Sequence, residues 1–206
     1  MRIQKEEEYS SMRLNLGSGF NKIDGYINAD KEALCLPDIL VSLDTDSWPW
    51  EDNSVVEALL DHVLEHLGET TIQYFHVIKE LYRVCGPGAK IIIKVPHPRH
   101  DNFIHDCTHV RTITPEGLAM FNKQRNLQQI ADGAKDTKLG LMLDVDFNLI
   151  KVTYKLEPRW EILTGNKLIS NEEMIAVMRA QNNVCYEIEM ELTVIKEAKD
   201  GELLDS

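Results

Sequence analysis

The sequence predicts an α/β fold built on a mostly parallel sheet, and three observations carry that expectation. Short apolar runs alternate along the chain with stretches of helical period. The first of these runs ends in a glycine turn, and the next two end at an acid. The run Ile91-Ile92-Ile93 suits a strand covered on both faces, as parallel strands are.

Each element follows in order. Residues 13–16 read as a first strand, ended by Gly17-Ser18-Gly19. Residues 26–30 read as a second, ended by Asp30, and residues 39–43 as a third, followed by Asp44. Residues 55–61 form a fourth. A helix is expected over residues 70–85. Thr70 and Gln73 have capping-box spacing, and Tyr74, Val77, Ile78, Leu81 and Cys85 make one apolar stripe. Gly86-Pro87-Gly88 is expected to stop that helix, and residues 90–95 to form a fifth strand. Further on, residues 115–121 read as the start of a short helix and residues 141–156 as a strand. Ser170 and Glu173 cap a helix reaching to about Ala180. Residues 186–195 alternate apolar and polar, the pattern of a half-exposed strand near a sheet edge.

Composition narrows the function classes. A chain of 206 residues can bury one sizeable core, so residues 1–206 are expected to form a single domain. Disordered ends are expected at about 1–10 and 198–206. Apolar residues make up 43% and charged residues 27%, a globular balance, and no run approaches the roughly 18 apolar residues of a membrane span. The acidic start Glu6-Glu7-Glu8 is unlike a signal peptide. Cys35, Cys85, Cys107 and Cys185 form no CxxC pair, which argues against a disulfide framework or a cysteine zinc site and suits a reducing cytoplasm. The net charge of −12 and the dispersed lysines and arginines argue against a nucleic-acid partner.

Glycines at 17 and 19 allow positive φ and let a ligand approach the backbone; a plain strand-ending turn would use them equally well. A nicotinamide fingerprint requires a further glycine at position 22, where Lys22 stands, so a dinucleotide dehydrogenase is disfavoured. Ligands of open α/β sheets bind beyond the carboxyl ends of the strands, where Asp30 and Asp44 would project. A carboxylate accepts both hydrogen bonds of a vicinal diol, so Asp30 suits a ribose, and Asp44 suits an adenine amino group. Solvated strand-end acids are the plain alternative.

Five segments, in order and spacing, carry a resemblance: Leu14-Asn15-Leu16-Gly17-Ser18-Gly19; Gly25-Tyr26-Ile27-Asn28-Ala29-Asp30; Trp48-Pro49-Trp50-Glu51-Asp52-Asn53-Ser54; His62-Val63-Leu64-Glu65-His66-Leu67; and Glu80-Leu81-Tyr82-Arg83-Val84 leading into Gly86-Pro87-Gly88. Over residues 13–121 the chain resembles the class I S-adenosylmethionine-dependent methyltransferases, type 11 group. The resemblance implies a Rossmann-like methyltransferase fold, a three-layer α/β sandwich whose seven-stranded sheet is mostly parallel with the last strand antiparallel. It implies S-adenosylmethionine as cofactor, with Gly17, Ser18 and Gly19 around its methionine part, Asp30 on the ribose, Asp44 near the adenine and His62 along the methionine side. The turn departs from the pattern in being short: only residues 21–28 separate Phe20 from Ala29, too few for a full crossover helix. A cofactor-binding protein of this fold without catalysis is the rival reading.

Two further stretches bear titratable groups. His62-Val63-Leu64-Glu65-His66 matches the H-x-x-E-H pattern of inverted zinc peptidases, which requires a continuous helix; here a strand precedes it and Gly68 follows, so a turn is expected instead. Residues 97–111, directly after the fifth strand, hold His97, Arg99, His100, Asp101, His105, Asp106, His109 and Arg111. In the family this position forms part of the acceptor pocket. The reading adopted makes His100 or His109 the proton acceptor and His97, Arg99, Asp106 and Arg111 the binders of a small, anionic acceptor, with no metal assigned. A structural polar network or a metal site are the alternatives.

Overall fold

The computed structural model describes residues 12–196, so the expectation of disordered ends lies outside the described residues. Strands β1 (Met12–Leu16), β2 (Ile27–Asp30), β3 (Ile39–Leu40), β4 (Val55–Asp61) and β5 (Cys85–Pro96) pair in parallel. β7 (Cys185–Val194) runs antiparallel between β5 and β6 (Phe147–Leu156). The seven strands lie in the order β3-β2-β1-β4-β5-β7-β6. Chain direction across the sheet therefore reverses between β1 and β4, the switch point at which open α/β sheets leave a crevice. The helices are α1 (Thr71–Val84), α2 (Asp101–Ile104), α3 (Pro115–Ala119), α4 (Lys123–Ala131), α5 (Leu139–Leu143), α6 (Pro158–Gly165) and α7 (Asn171–Ala180), with 3₁₀ turns at Ala33–Cys35 and Leu64–His66.

Both capping boxes form: the side chains of Thr70 and Ser170 accept from the backbones of Gln73 and Glu173, whose side chains reach back. Helix α1 buries Tyr74, Val77, Ile78, Leu81 and Val84 in one core with Leu14, Leu16, Leu60, Ile91, Ile93 and Met190. Within Lys90–Val95 of β5, Ile91, Ile93 and Val95 are buried while Ile92 is half-covered beside Lys90 and Lys94, so the isoleucine run is less enclosed than its composition suggests.

The structure corrects three boundaries. The third strand is Ile39–Leu40 alone. Gly86-Pro87-Gly88 does not form a turn after the helix; β5 starts at Cys85 and bulges there. Val55 faces Cys85 while Glu57 already faces Lys90, and Gly88 takes φ +75° within the bulge. Residues 141–156 divide into the end of α5, a left-handed turn at Asp144 (φ +55°), and β6. Gly140 lets α5 pack closely on the chain near α3: a Cβ there would stand 2.9 Å from the Phe121 carbonyl oxygen. Helices α4 and α6 were not expected, although Asn122 caps the first and Pro158 opens the second.

The short β1–β2 connection, residues 17–26, holds no helix, as its length implied. Buried side chains brace it instead. Asn15 Nδ2 donates to the Asn21 carbonyl and to Asn28 Oδ1, and the same Asn28 oxygen accepts from the Ile23 amide. Asp38 accepts from the Asn28 amide and side chain and from Lys22, bonds that hold its carboxyl down to about 2. All four cysteines are free thiols, and among the described residues no helix is long and apolar enough to cross a membrane.

Candidate functional site

At the switch point the chain leaves β1 through Gly17 (φ +67°) and Gly19 (φ +50°). The Gly17 and Ser18 amides both donate to the Ala29 carbonyl of β2, at 2.8 and 3.0 Å. A Cβ on Gly17 would meet Val63 Cγ1 at 2.5 Å, so glycine is required both by conformation and by the approach of the segment after β4. The turn opens on a cavity of about 150 Å³ lined by Gly17, Asp30, Val41, Asp44, Val63 and His66, among others.

Asp30 closes β2 with its side chain nearly buried. Oδ2 accepts from the Gly19 amide at 2.8 Å and Oδ1 from the Glu32 amide at 2.9 Å. The carboxylate thus orients the glycine turn, and each oxygen keeps a lone pair for a further donor. Asp44, half-buried after β3, accepts from the Ser42 hydroxyl and lines the same cavity. Gly17, Asp30 and Asp44, read from the sequence as cofactor contacts, are therefore brought together.

His62 is not among the cavity walls. It takes a left-handed backbone (φ +55°) and sends Nε2 to Glu187 Oε2 on β7 at 2.9 Å, with Nδ1 3.4 Å from Glu65 Oε1. Those two carboxylates, Glu65 foremost, raise its pKa to about 9 against the opposing effect of burial. The cavity wall expected from His62 comes from Val63 and His66. H-x-x-E-H forms no continuous helix, only the 3₁₀ turn Leu64–His66.

The loop after β5 disperses its titratable groups. His97 and Arg99 line a separate cavity of about 310 Å³ with Glu116, Tyr154 and residues of α7. Burial, then the neighbouring Arg99 charge, lowers the His97 pKa. His100 is buried and both its nitrogens are engaged: Nδ1 accepts from the Asn102 amide at the start of α2, and Nε2 donates to Glu157 at 3.0 Å. A ring with no open lone pair accepts no proton, so the expected base at His100 is a capping side chain instead. Asp106 faces solvent and accepts from the Thr108 amide and hydroxyl, bonds that lower its pKa, the hydroxyl first.

His109 stacks on Phe103, donates Nδ1–H to the Phe103 carbonyl at 2.8 Å and lies 4.5 Å, centroid to centroid, from His66. Its Nε2 is left open. Arg111 spreads over the Tyr74 ring at 4.2 Å and donates to the Gly68 carbonyl. It lines a third cavity of about 390 Å³ with Tyr74, Phe75, Thr114, Met120 and Phe121. The Val110 and Arg111 amides both donate to the Glu65 carbonyl, which ties the segment carrying His66, a wall of the first cavity, to the loop carrying Arg111, a wall of the third. Sequence reasoning missed Glu65 as a buried carboxylate and His66 as a cavity wall; the segment containing both was read as a family motif and against the peptidase pattern, with a role given to His62 alone.

The chain is similar to several solved structures. One is a SAM-dependent methyltransferase from Archaeoglobus fulgidus, 17% identical, covering 93% of this chain and 91% of that one with a TM-score of 0.58. The YcgJ protein of Bacillus subtilis is 14% identical over 95% of this chain and 97% of its own, TM-score 0.52. The [4+2]-cyclase SpnF is 12% identical over 91% of this chain and 76% of its own, TM-score 0.52. The fold is that of the class I S-adenosylmethionine-dependent methyltransferases. No protein-family model and no curated protein sequence matches the chain, so the type 11 likeness rests on the motifs alone.

Proposed function

We propose that this protein is an S-adenosylmethionine-dependent methyltransferase acting on a small acceptor. The observation that carries the reading is the cavity at the β1/β4 switch point, where Gly17, Asp30 and Asp44 converge at the carboxyl ends of parallel strands. Gly17, Ser18 and Gly19 would lie along the methionine part of the cofactor, Asp30 would accept from the ribose hydroxyls and Asp44 from the adenine amino group. The cofactor supplies an electrophilic methyl group on a sulfonium. The chain's own contribution is alignment of donor and acceptor, and a proton acceptor is required only where the acceptor atom must lose a proton. Arg111, which lines the third cavity, gives that space a cationic, forked donor suited to a carboxylate or phosphate.

Calorimetry with S-adenosylmethionine and with its demethylated product tests the reading: one site per chain is expected. Asp30→Ala should weaken binding by about 1–3 kcal/mol, the usual loss when a charged hydrogen-bond partner is removed. Absence of binding at millimolar ligand would refute it. The cyclase neighbour favours a second reading, in which the same cavity binds the cofactor without methyl transfer. Binding without turnover on any small anionic acceptor would select it.

A further inference from the structure

We infer that Glu65, His66 and His109 form a binding site for a divalent first-row transition metal ion, set in the wall of the switch-point cavity. The inference is independent of the methyltransferase reading and uses groups that reading leaves without a task.

Glu65 is the first reason. Its side chain is 1% exposed, and neither carboxylate oxygen has a hydrogen-bond partner. His62 offsets part of its charge from 3.4 Å at Oε1. Oε2 has nothing. A carboxylate this deeply buried with one oxygen wholly unpartnered is unfavourable, and native proteins keep few such groups without a function.

The protonation pattern of the two imidazoles is the second. His109 Nδ1 faces the Phe103 carbonyl, which only accepts, so Nδ1 carries the proton and Nε2 presents its lone pair. The Thr108 hydroxyl gives its one proton to Asp106 Oδ1 at 2.6 Å. Its oxygen, 2.9 Å from His66 Nδ1, must therefore accept from that nitrogen, and His66 Nε2 is also left with a lone pair. Both rings are thus held by an outer partner on one nitrogen with the other open, the arrangement that orients metal-ligating histidines.

Position is the third. One donor atom from each of Glu65, His66 and His109 lies within 4.8 Å of the other two. His109 Nε2 stands 4.0 Å from Glu65 Oε1 and 3.9 Å from Asp106 Oδ2, too far for hydrogen bonds. Donors at about 2.0–2.2 Å from one ion lie at most about 4.2 Å apart, so binding would draw the cluster in by roughly half an ångström or more. Two imidazoles and a carboxylate suit zinc or ferrous iron rather than calcium or magnesium. The fourth position stays open, and His66 places it beside the cavity. An imidazole whose lone pair is committed to a metal takes no proton, so this assignment replaces the base role expected of His109.

The test uses the full chain, stripped with a chelator and titrated with Co²⁺, whose visible absorption reports inner-sphere nitrogen and oxygen ligands. One Co²⁺ per chain, displaced by Zn²⁺, is expected. His66→Gln, His109→Ala and Glu65→Gln should each weaken binding at least about tenfold. His105→Ala, an exposed histidine of the same loop, should leave it unchanged. Far-UV circular dichroism identifies any variant that fails to fold, and His66→Gln, at the cavity surface, keeps the test open if a core variant does. No stoichiometric Co²⁺ absorption in the unmodified chain, equal binding in His66→Gln, or an equal loss in His105→Ala overturns the assignment.

Discussion

The glycine turn with its acids and the loop after β5 are both polar, both beyond the carboxyl ends of parallel strands, and both dense in candidate site residues. They resolve differently. Gly17, Asp30 and Asp44 come from three separate strand ends and meet at one cavity. Residues 97–111 are contiguous, yet His97, His100, His109 and Arg111 go to four different surroundings. Sheet geometry fixes where the end of a parallel strand points, so residues far apart in the chain converge. Within a loop each side chain follows its own hydrogen bonds, and proximity in sequence carries little information about destination.

The largest expected effect breaks the convergent region. Gly17→Ala places a Cβ 2.5 Å from Val63 on a residue at φ +67°, so steric clash and backbone strain act together. A loss of about 2–4 kcal/mol in urea denaturation is expected, above the usual range for a surface turn. Calorimetry should show cofactor binding weakened as well, since the turn and the segment after β4 must separate. A variant as stable as the unmodified chain would mean that the close packing of Gly17 on Val63 contributes nothing.

A smaller effect tests the divergent region. His100→Ala removes the acceptor for the Asn102 amide at the start of α2 and leaves Glu157 to solvent. The expected cost is about 0.5–2 kcal/mol of stability, typical of a lost helix cap, with cofactor affinity unchanged. A loss of cofactor affinity larger than the loss of stability would return His100 to the site.

The same contrast explains how much was legible. The seven strands and the capped helix α1 follow from apolar periodicity and turn residues, which act locally and leave a pattern in sequence; the strand order and its reversal rest on long-range pairing and do not. The bulge at residues 85–88 escaped because Gly-Pro-Gly after a helix reads as a stop, and only the pairing of β4 with β5 shows the strand continuing through it. Helix α5 escaped because its packing against the Phe121 carbonyl is a long-range contact. Among site residues, those fixed by strand ends were found by position. His62 was misdirected because its partner Glu187 lies on β7, 125 residues away in the chain. Glu65 was hidden for a related reason: burial of a turn carboxylate depends on the loop at Val110–Arg111 folding over it.

His62 sits between the two regions, at the end of β4 yet bonded to the far side of the sheet, and it gives the smallest and most specific effect. Its folded pKa, about 9, lies above the ordinary histidine value of 6.5, because Glu65 and Glu187 favour the imidazolium. The sign follows from linkage: a raised pKa means that the native state binds the proton more tightly than the unfolded chain. The contribution to stability is complete below pH 6.5 and is lost progressively as pH rises toward 9. The side chain is 45% exposed, so solvent screening reduces the effect, to about 1 kcal/mol or less. Urea midpoints of the unmodified chain and of His62→Gln, compared across that window, should converge as pH rises. If the difference between the two is the same at both ends of the window, His62 is not held as a cation by Glu65 and Glu187.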